Sequence, residues 1–195
     1  MAKIKVIALC GKSGSGKDTV LRGVCAPPFG ENFNQIITCT TRPPRDNEVP
    51  GRDYVFMSNV NFLKHIEDGN FVEYSRFKED WYYGTHYNNL SENKINIGVF
   101  NPKGIAMLAN NSNIDLNVIE VYMASDKERI IRLLNREPDP NIEEIFRRYL
   151  ADERDFTWFN TLDLVDYKAC NDCQWDLESN IQYIRLLGKR LDKDN

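Results

Sequence analysis

Gly11-Lys12-Ser13-Gly14-Ser15-Gly16-Lys17-Asp18-Thr19 is the stretch that decides the fold of this 195-residue chain. The apolar run Val6-Ile7-Ala8-Leu9-Cys10 before it reads as a buried strand, and Thr19 to Cys25 after it as the opening of a helix. Strand, glycine-rich loop and helix in that order form a phosphate-binding P-loop. Phosphate oxygens are cradled by successive backbone N–H groups, so the chain must approach closely, and Gly11, Gly14 and Gly16 leave room for that. The helix N-terminus adds partial positive charge, and Lys17 brings an ammonium to the β and γ phosphates. Gly11, Ser13, Gly14, Ser15, Gly16, Lys17, Asp18 and Thr19 are therefore the candidate triphosphate-binding residues. One position departs from the usual pattern. Ser or Thr ordinarily follows the lysine and offers a hydroxyl to Mg²⁺, whereas here Asp18 offers a carboxylate, also a hard oxygen ligand. Asp18 is the candidate metal residue, and Thr19 supplies a hydroxyl only if the register shifts.

The bulk properties narrow the class. The length suits one α/β domain with a substantial core, and 42% hydrophobic residues is an ordinary globular value. A net charge of −4 provides no basic field for nucleic acid. No apolar run approaches the roughly 20 residues of a membrane span. Met1-Ala2-Lys3 leads straight into a strand, with no secretory leader, so a cytoplasmic protein is expected. The five cysteines include Cys170-Asn171-Asp172-Cys173, but a zinc site needs a second pair of ligands, and His65 and His86 stand alone. Free thiols are expected.

Farther along, Gln35 to Cys39 reads as a short strand, Thr40 to Gly51 as a polar loop and Arg52 to Met57 as a strand. Asn59 to Asp68 reads as a helix capped by Ser58, carrying Val60, Leu63 and Ile66 at helical spacing and stopped by Gly69. Phe71 to Phe77 and the segment around Trp81-Tyr82-Tyr83-Gly84 read as strands. Residues 36–90 thus make a β-rich insertion. Then come a core strand (94–100), a helix (103–110), a core strand (116–123) and a helix from Ser125 through Leu134. Glu137-Pro138-Asp139-Pro140 interrupts it. Asn141 caps a helix over 142–156, Leu162 to Ala169 reads as a last strand, and 178–191 as an amphipathic closing helix. Alternation around a P-loop implies α/β architecture with a parallel sheet covered on both faces.

The insertion carries a second set of polar residues. Thr40-Thr41-Arg42-Pro43-Pro44-Arg45 presents two guanidiniums three positions apart, each a planar fork suited to phosphate oxygens. Tyr54 and Tyr83 can add phenolic donors, or pack in a core. Glu73, on a strand, is either a surface charge or a bidentate acceptor for the adjacent N1–H and N2–H of guanine. Arg129, Arg132, Arg136, Arg147 and Arg148 flank the 137–140 hinge as a mobile lid would require. Ion pairing with Glu128, Glu137, Glu143 and Glu144 is expected to account for two or three of them.

Together these blocks, with Gly51-Arg52-Asp53-Tyr54-Val55-Phe56, Phe71-Val72-Glu73-Tyr74 and Tyr82-Tyr83-Gly84-Thr85, resemble the guanylate kinase family over about residues 4 to 190. The resemblance implies a P-loop NTPase three-layer fold: a core (1–35, 91–124, 151–195), a GMP-binding region (36–90) and a helical lid (125–150). It implies that ATP is the co-substrate with Mg²⁺, that small-molecule nucleotides are the partners, and that the chain is a monomer or homodimer. It implies that Arg42, Arg45, Tyr54 and Tyr83 hold the GMP phosphate, that Glu73 reads guanine, and that Thr38 and Thr85 lie near O6. Arg132, Arg136 and Arg148, with Lys17, match the family's phosphoryl-clamping residues, and Asn171 its adenine-side segment.

The family's Asp-x-Asp after the third core strand is replaced by Val99 and Asn101, so Asn101 is carried over as an acceptor-site residue without its charge. Two rival functions remain at this level. One is a kinase for another nucleoside monophosphate. The other is a protein-binding module without turnover, against which the intact loop, Lys17 and lid arginines argue.

Overall fold

The computed structural model describes residues 3–45, 48–78 and 80–193. The Met1-Ala2 start, read above as lacking a leader, lies outside the described residues. Five parallel strands form the main sheet in the order β2-β7-β1-β8-β9. They are β1 (Ile4–Cys10), β2 (Phe33–Gln35), β7 (Ile95–Val99), β8 (Ile114–Tyr122) and β9 (Tyr167–Cys170). Alternate residues of β1 enter different cores. Val6, Ala8 and Cys10 pack with Phe100, Ile105, Leu108, Phe156 and Phe159, while Ile7 and Leu9 pack with Val20, Val24, Ile97 and Ile184. A sheet buried on both faces needs an apolar residue at every step of its central strand, and Val6 to Cys10 provides one. The helices that cover it are α1 (Lys17–Cys25), α3 (Pro102–Ala109), α5 (Ile142–Phe159) and α6 (Gln174–Lys193).

A smaller mixed sheet, β4-β3-β6-β5, stands apart from the first. It joins β3 (Cys39–Thr40), β4 (Val55–Phe56), β5 (Phe71–Lys78) and β6 (Trp81–His86), with α2 (Asn59–Glu67) on one face. The Ser58 hydroxyl caps α2 by accepting from the Asn61 N–H, as its sequence predicts. The buried face of α2 differs from the expected one. Phe62 is fully buried, stacked on Phe71 at 4.4 Å, while Val60 and Leu63 face solvent. Helix α4 (Asp126–Leu134) completes the set, capped by Ser125, and Asn141 caps α5 in the same way.

Three strand boundaries also differ. The run 35–39 is divided: the Ile36 N–H still donates to Ile97 in the large sheet, whereas Thr38 accepts from Val55 in the small one. No glycine or proline marks that crossover. The 52–57 strand shrinks to Val55–Phe56 because its partner β3 is equally short. Leu164 and Val165 pack against the core as loop, and β9 begins only at Tyr167. Among the described residues, no helix is long and apolar enough to cross a membrane. All five cysteines are free thiols, and burial pushes Cys10 up to about 12 and Cys25 to about 11.

Candidate active site

The glycine-rich loop leaves β1 at the C-terminal edge of the sheet, where parallel α/β folds place their ligands, and runs into the N-terminus of α1. Gly16 sits at φ 88°, a left-handed conformation that strains any side chain, and Gly11 has no room for a Cβ beneath the Val121 carbonyl. The Ser15 carbonyl accepts from the Asn171 amide at 2.8 Å, in a buried contact that also presses on Gly16. Asn171, expected beside the adenine, thus touches the loop itself. Its Oδ1 and the Ser15 Oγ are buried without a partner, two acceptors left open at the loop. Lys17 opens α1 and makes no hydrogen bond or ion pair among the described residues, and Asp18 and Thr19 after it are exposed. Ser13 and Gly14, at the loop's tip, pack against α4 and α5.

Across from the loop, the small sheet supplies the second group. Arg42 is 5% exposed, its Nη2 donating to both oxygens of Glu48 at 2.7 and 2.9 Å and its Nη1 to the Pro43 carbonyl at 2.6 Å. Its Nε donates to the Tyr83 hydroxyl at 3.2 Å, and the Tyr54 ring lies under it at 5.3 Å. Tyr54 and Tyr83 meet edge to face at 6.1 Å. Burial raises the Tyr54 pKa, and the nearby charges of Tyr83 and then Asp18 raise it further. Burial pushes the Glu48 carboxyl up, but the Arg45 N–H and the Arg42 guanidinium outweigh it and leave the group below its ordinary value. The Arg45 side chain itself is exposed.

Glu73 is the most unusual group of the site. It lies on β5, 5% exposed, and accepts from the fully buried Thr85 hydroxyl at 2.7 Å. Among the described residues no cation faces it, so burial raises its pKa to about 7 despite the Thr85 hydroxyl and backbone N–H, which pull the other way. Its other oxygen rests against the first turn of α3: a Cβ on Gly104 would lie 2.7 Å from Oε2. Asn101 caps that helix, accepting from the Gly104 N–H at 2.8 Å and donating to the buried Ser75 hydroxyl at 2.8 Å. Its side chain is thus engaged. Thr38, half-buried, uses its carbonyl to hold β4. Nothing in the sequence pattern singled out Glu48, Ser75 or Gly104; their part comes from three-dimensional neighbours.

The five arginines between residues 129 and 148 separate into different environments. Arg147 and Arg148 share Glu144, at 2.7 and 2.9 Å, and hold its pKa near 2, Arg147 contributing most. Arg147 also lies over the Phe77 ring of the small sheet, 4.6 Å from its centroid. Arg132 donates to the carbonyls of Asn171 and Asp172 at 2.9 and 2.6 Å. Arg129 is buried among carboxylates that are not those expected from the sequence. Arg136 is exposed, with no ion pair among the described residues.

A P-loop at the C-terminal edge of a five-stranded parallel sheet, together with the buried Arg42–Glu48 and Glu73–Thr85 pairs of a smaller sheet, defines an α/β protein of the nucleotide-binding class. Comparison with known proteins narrows this further. The guanylate kinase family model matches residues 3–183. The guanylate kinase of Chlamydia felis is 31% identical over 190 residues, covering 94% of this chain and 86% of that protein. That of Wigglesworthia glossinidia brevipalpis is 30% identical over 172 residues, covering 85% and 80%. The crystal structure of guanylate kinase from Anaplasma phagocytophilum superposes with a TM-score of 0.65 at 17% identity, over 98% of this chain and 88% of that one. The chain belongs to the guanylate kinase family.

Proposed function

We propose that this protein transfers the γ-phosphoryl group of ATP to GMP or dGMP, giving ADP and the corresponding diphosphate. Glu73 is the observation that carries the choice of base. A buried carboxylate without a cation, oriented by Thr85, is a costly arrangement. Adjacent N1–H and N2–H donors of guanine satisfy it, whereas adenine presents an acceptor at the equivalent edge and would leave it unpaired. The core is assigned to 1–35, 91–124 and 151–195, the acceptor region to 36–90 and the lid to 125–150. Arg42, Arg45, Tyr54 and Tyr83 are assigned to the acceptor phosphate, and Thr38, Thr85 and Asn101 to the surroundings of the base.

The transfer needs no covalent intermediate. An oxygen of the GMP phosphate attacks the γ-phosphorus as the bond to the β-phosphate oxygen breaks, and the protein aligns the two and neutralises charge. Between Gly11 and Thr19 the Ser13 N–H is held by Asp152 and those of Ser15 and Thr19 by loop carbonyls, so the remaining loop N–H groups, with Asn171, hold the triphosphate, and Lys17 faces its transferring end. Arg132, Arg136 and Arg148 are assigned to the equatorial oxygens as the lid closes; Arg136 is exposed with no ion pair among the described residues, and Arg132 starts from the carbonyls of Asn171 and Asp172. Closure excludes water, which would otherwise accept the phosphoryl group.

The residues present suit Mg²⁺ in one respect. Among the described residues no three His, Cys, Asp or Glu side chains converge on a metal position, but Mg²⁺ typically binds one or two carboxylates with substrate phosphates and water completing its shell. Asp18 is exposed at the start of α1 with its carboxylate uncommitted, and so fits that demand. A bound Mg²⁺ would neutralise phosphate charge. Asp18→Ala should therefore lower Mg²⁺-dependent turnover about tenfold or more with GMP binding nearly unchanged, as steady-state kinetics across a Mg²⁺ titration would reveal. Equal losses in turnover and GMP affinity would remove Asp18 from this role.

The work of such an enzyme lies in the cytoplasm, on small nucleotides, and one chain carries every assigned residue, whether as a monomer or within a homodimer. The decisive test is ATP consumption against a panel of GMP, dGMP, AMP, CMP, UMP and dTMP. Turnover confined to the guanine nucleotides is expected. Preference for another base would overturn the role of Glu73, and saturable ATP binding without turnover on any acceptor would indicate a binding module.

A further inference from the structure

The tip of the phosphate loop is clamped by charges that the mechanism above does not use. The Ser13 N–H donates to Asp152 Oδ2 at 2.7 Å, and the Ser13 carbonyl accepts from Arg129 Nη1 at 3.0 Å. Asp152 and Arg129 are themselves 3.7 Å apart, so one ion pair brackets both sides of residue 13. Arg129, on α4, has 2% of its side chain exposed. It donates through Nε and Nη2 to Asp126 at 3.0 and 2.9 Å, approaches Glu153 at 3.4 Å, and lies over the Tyr149 ring at 5.0 Å. Lys12, the neighbouring loop residue, reaches Glu153 at 2.6 Å. Gly14 fits so closely that a Cβ there would lie 2.8 Å from the Arg129 carbonyl.

A buried guanidinium is expensive unless its donors are met by carboxylates and acceptors. Here the five-donor fork of Arg129 is spent on a loop carbonyl and on three acids drawn from two helices, an arrangement that fixes geometry rather than adding much stability. The acids add negative charge beside a loop that receives a triphosphate, which Lys12 and Arg129 offset only in part. That disfavours ATP unless the geometry they impose is worth more. The N–H groups of a phosphate loop bind well only when they are already aimed.

We infer that Arg129 and Asp152 are positioning residues that hold the loop tip in its triphosphate-binding shape. They do so from α4 and the C-terminal half of α5. This rests on the proposed function for its consequence in turnover, but not for its consequence in ATP binding.

Asp152→Ala leaves the Ser13 N–H and Arg129 unbracketed and should raise both the KM for ATP and the directly measured ATP dissociation constant about tenfold, with the KM for GMP within twofold. Asp152→Asn, whose amide oxygen still accepts from the Ser13 N–H, should recover most of the ATP affinity. A rescue of that kind would not follow from a general loss of packing. Thermal melting of each variant in the absence of nucleotide identifies a chain that fails to fold, and Asp152→Asn, nearly isosteric, then carries the test. ATP affinity unchanged in Asp152→Ala, or ATP and GMP constants rising together in both variants, would overturn the inference. Should the wild-type protein show no turnover on any acceptor, the proposed function falls, yet an ATP dissociation constant raised by Asp152→Ala and restored by Asp152→Asn would still support the clamp.

Discussion

Glu73→Gln should lower kcat/KM for GMP by about a thousandfold, roughly 4 kcal/mol, because the amide turns a donor toward the N1–H and N2–H that the carboxylate would accept. The effect should lie in GMP binding, with ATP binding unchanged. Fold loss is a poor rival explanation. A carboxyl whose folded pKa is raised to about 7 contributes most to stability below its ordinary value of 4.5 and loses that contribution as pH rises through about 7. At neutral pH the buried charge is therefore a liability, and a neutral Gln should melt at the same temperature or higher. The same shift gives GMP affinity a pH dependence. Below about 7 the empty site holds a proton on Glu73, which guanine must displace, so the GMP dissociation constant should rise toward tenfold per pH unit as pH falls from 7 to 5. In Glu73→Gln that slope should vanish. Calorimetric titration in buffers of different ionisation enthalpy reads the released proton directly. A wild-type affinity flat over this range would remove Glu73 from contact with the base.

Lys17→Met should reduce turnover at least a thousandfold, as preorganised cations on a transferring phosphoryl group are worth that much. The methionine keeps the length and apolar stem while removing the charge. Lys17 makes no ion pair within the described chain, so the melting temperature in the absence of nucleotide should stay within a degree or two. Single-turnover quench measurements at saturating ATP and GMP separate the chemical step from binding. A loss below tenfold would mean that the loop lysine does not face the phosphoryl group.

Much of this was legible in the sequence because the physics was local. A five-residue apolar run, three glycines and a lysine fix strand, loop and helix within 25 residues. Ser58, Ser125 and Asn141 announce their helices by capping them. What escaped depended on distant partners. The split of residues 35–39 between two sheets follows from which edges are available, and the buried face of α2 follows from Phe71 and Tyr82 rather than from the spacing of Val60 and Leu63. In the candidate site, motifs single out Arg42, Glu73 and Tyr83, and the fold buries Arg42 and Glu73 and sets Tyr83 beside Arg42. Glu48 on Arg42, Gly104 against Glu73 and Asp152 on Ser13 could not be found that way, since contacts across 6, 31 and 139 positions leave no periodic trace. Arg129 illustrates the limit most clearly. It looks like one more surface arginine on an amphipathic helix, and only the fold reveals it as fully enclosed.

If Arg42 takes the acceptor phosphate as proposed, its pairing with Glu48 changes how that acceptor arrives. With Nη2 already held by a carboxylate, the guanidinium offers an incoming anion little net attraction, and a chain of charge −4 adds no distant pull. Entry would then be an exchange of one anion for another. A phosphate dianion can replace the carboxylate because it brings more charge and a third oxygen. A nucleoside without phosphate has nothing to trade. The released Glu48 would then be free to turn outward, so the pocket distinguishes its occupant by what that occupant can displace.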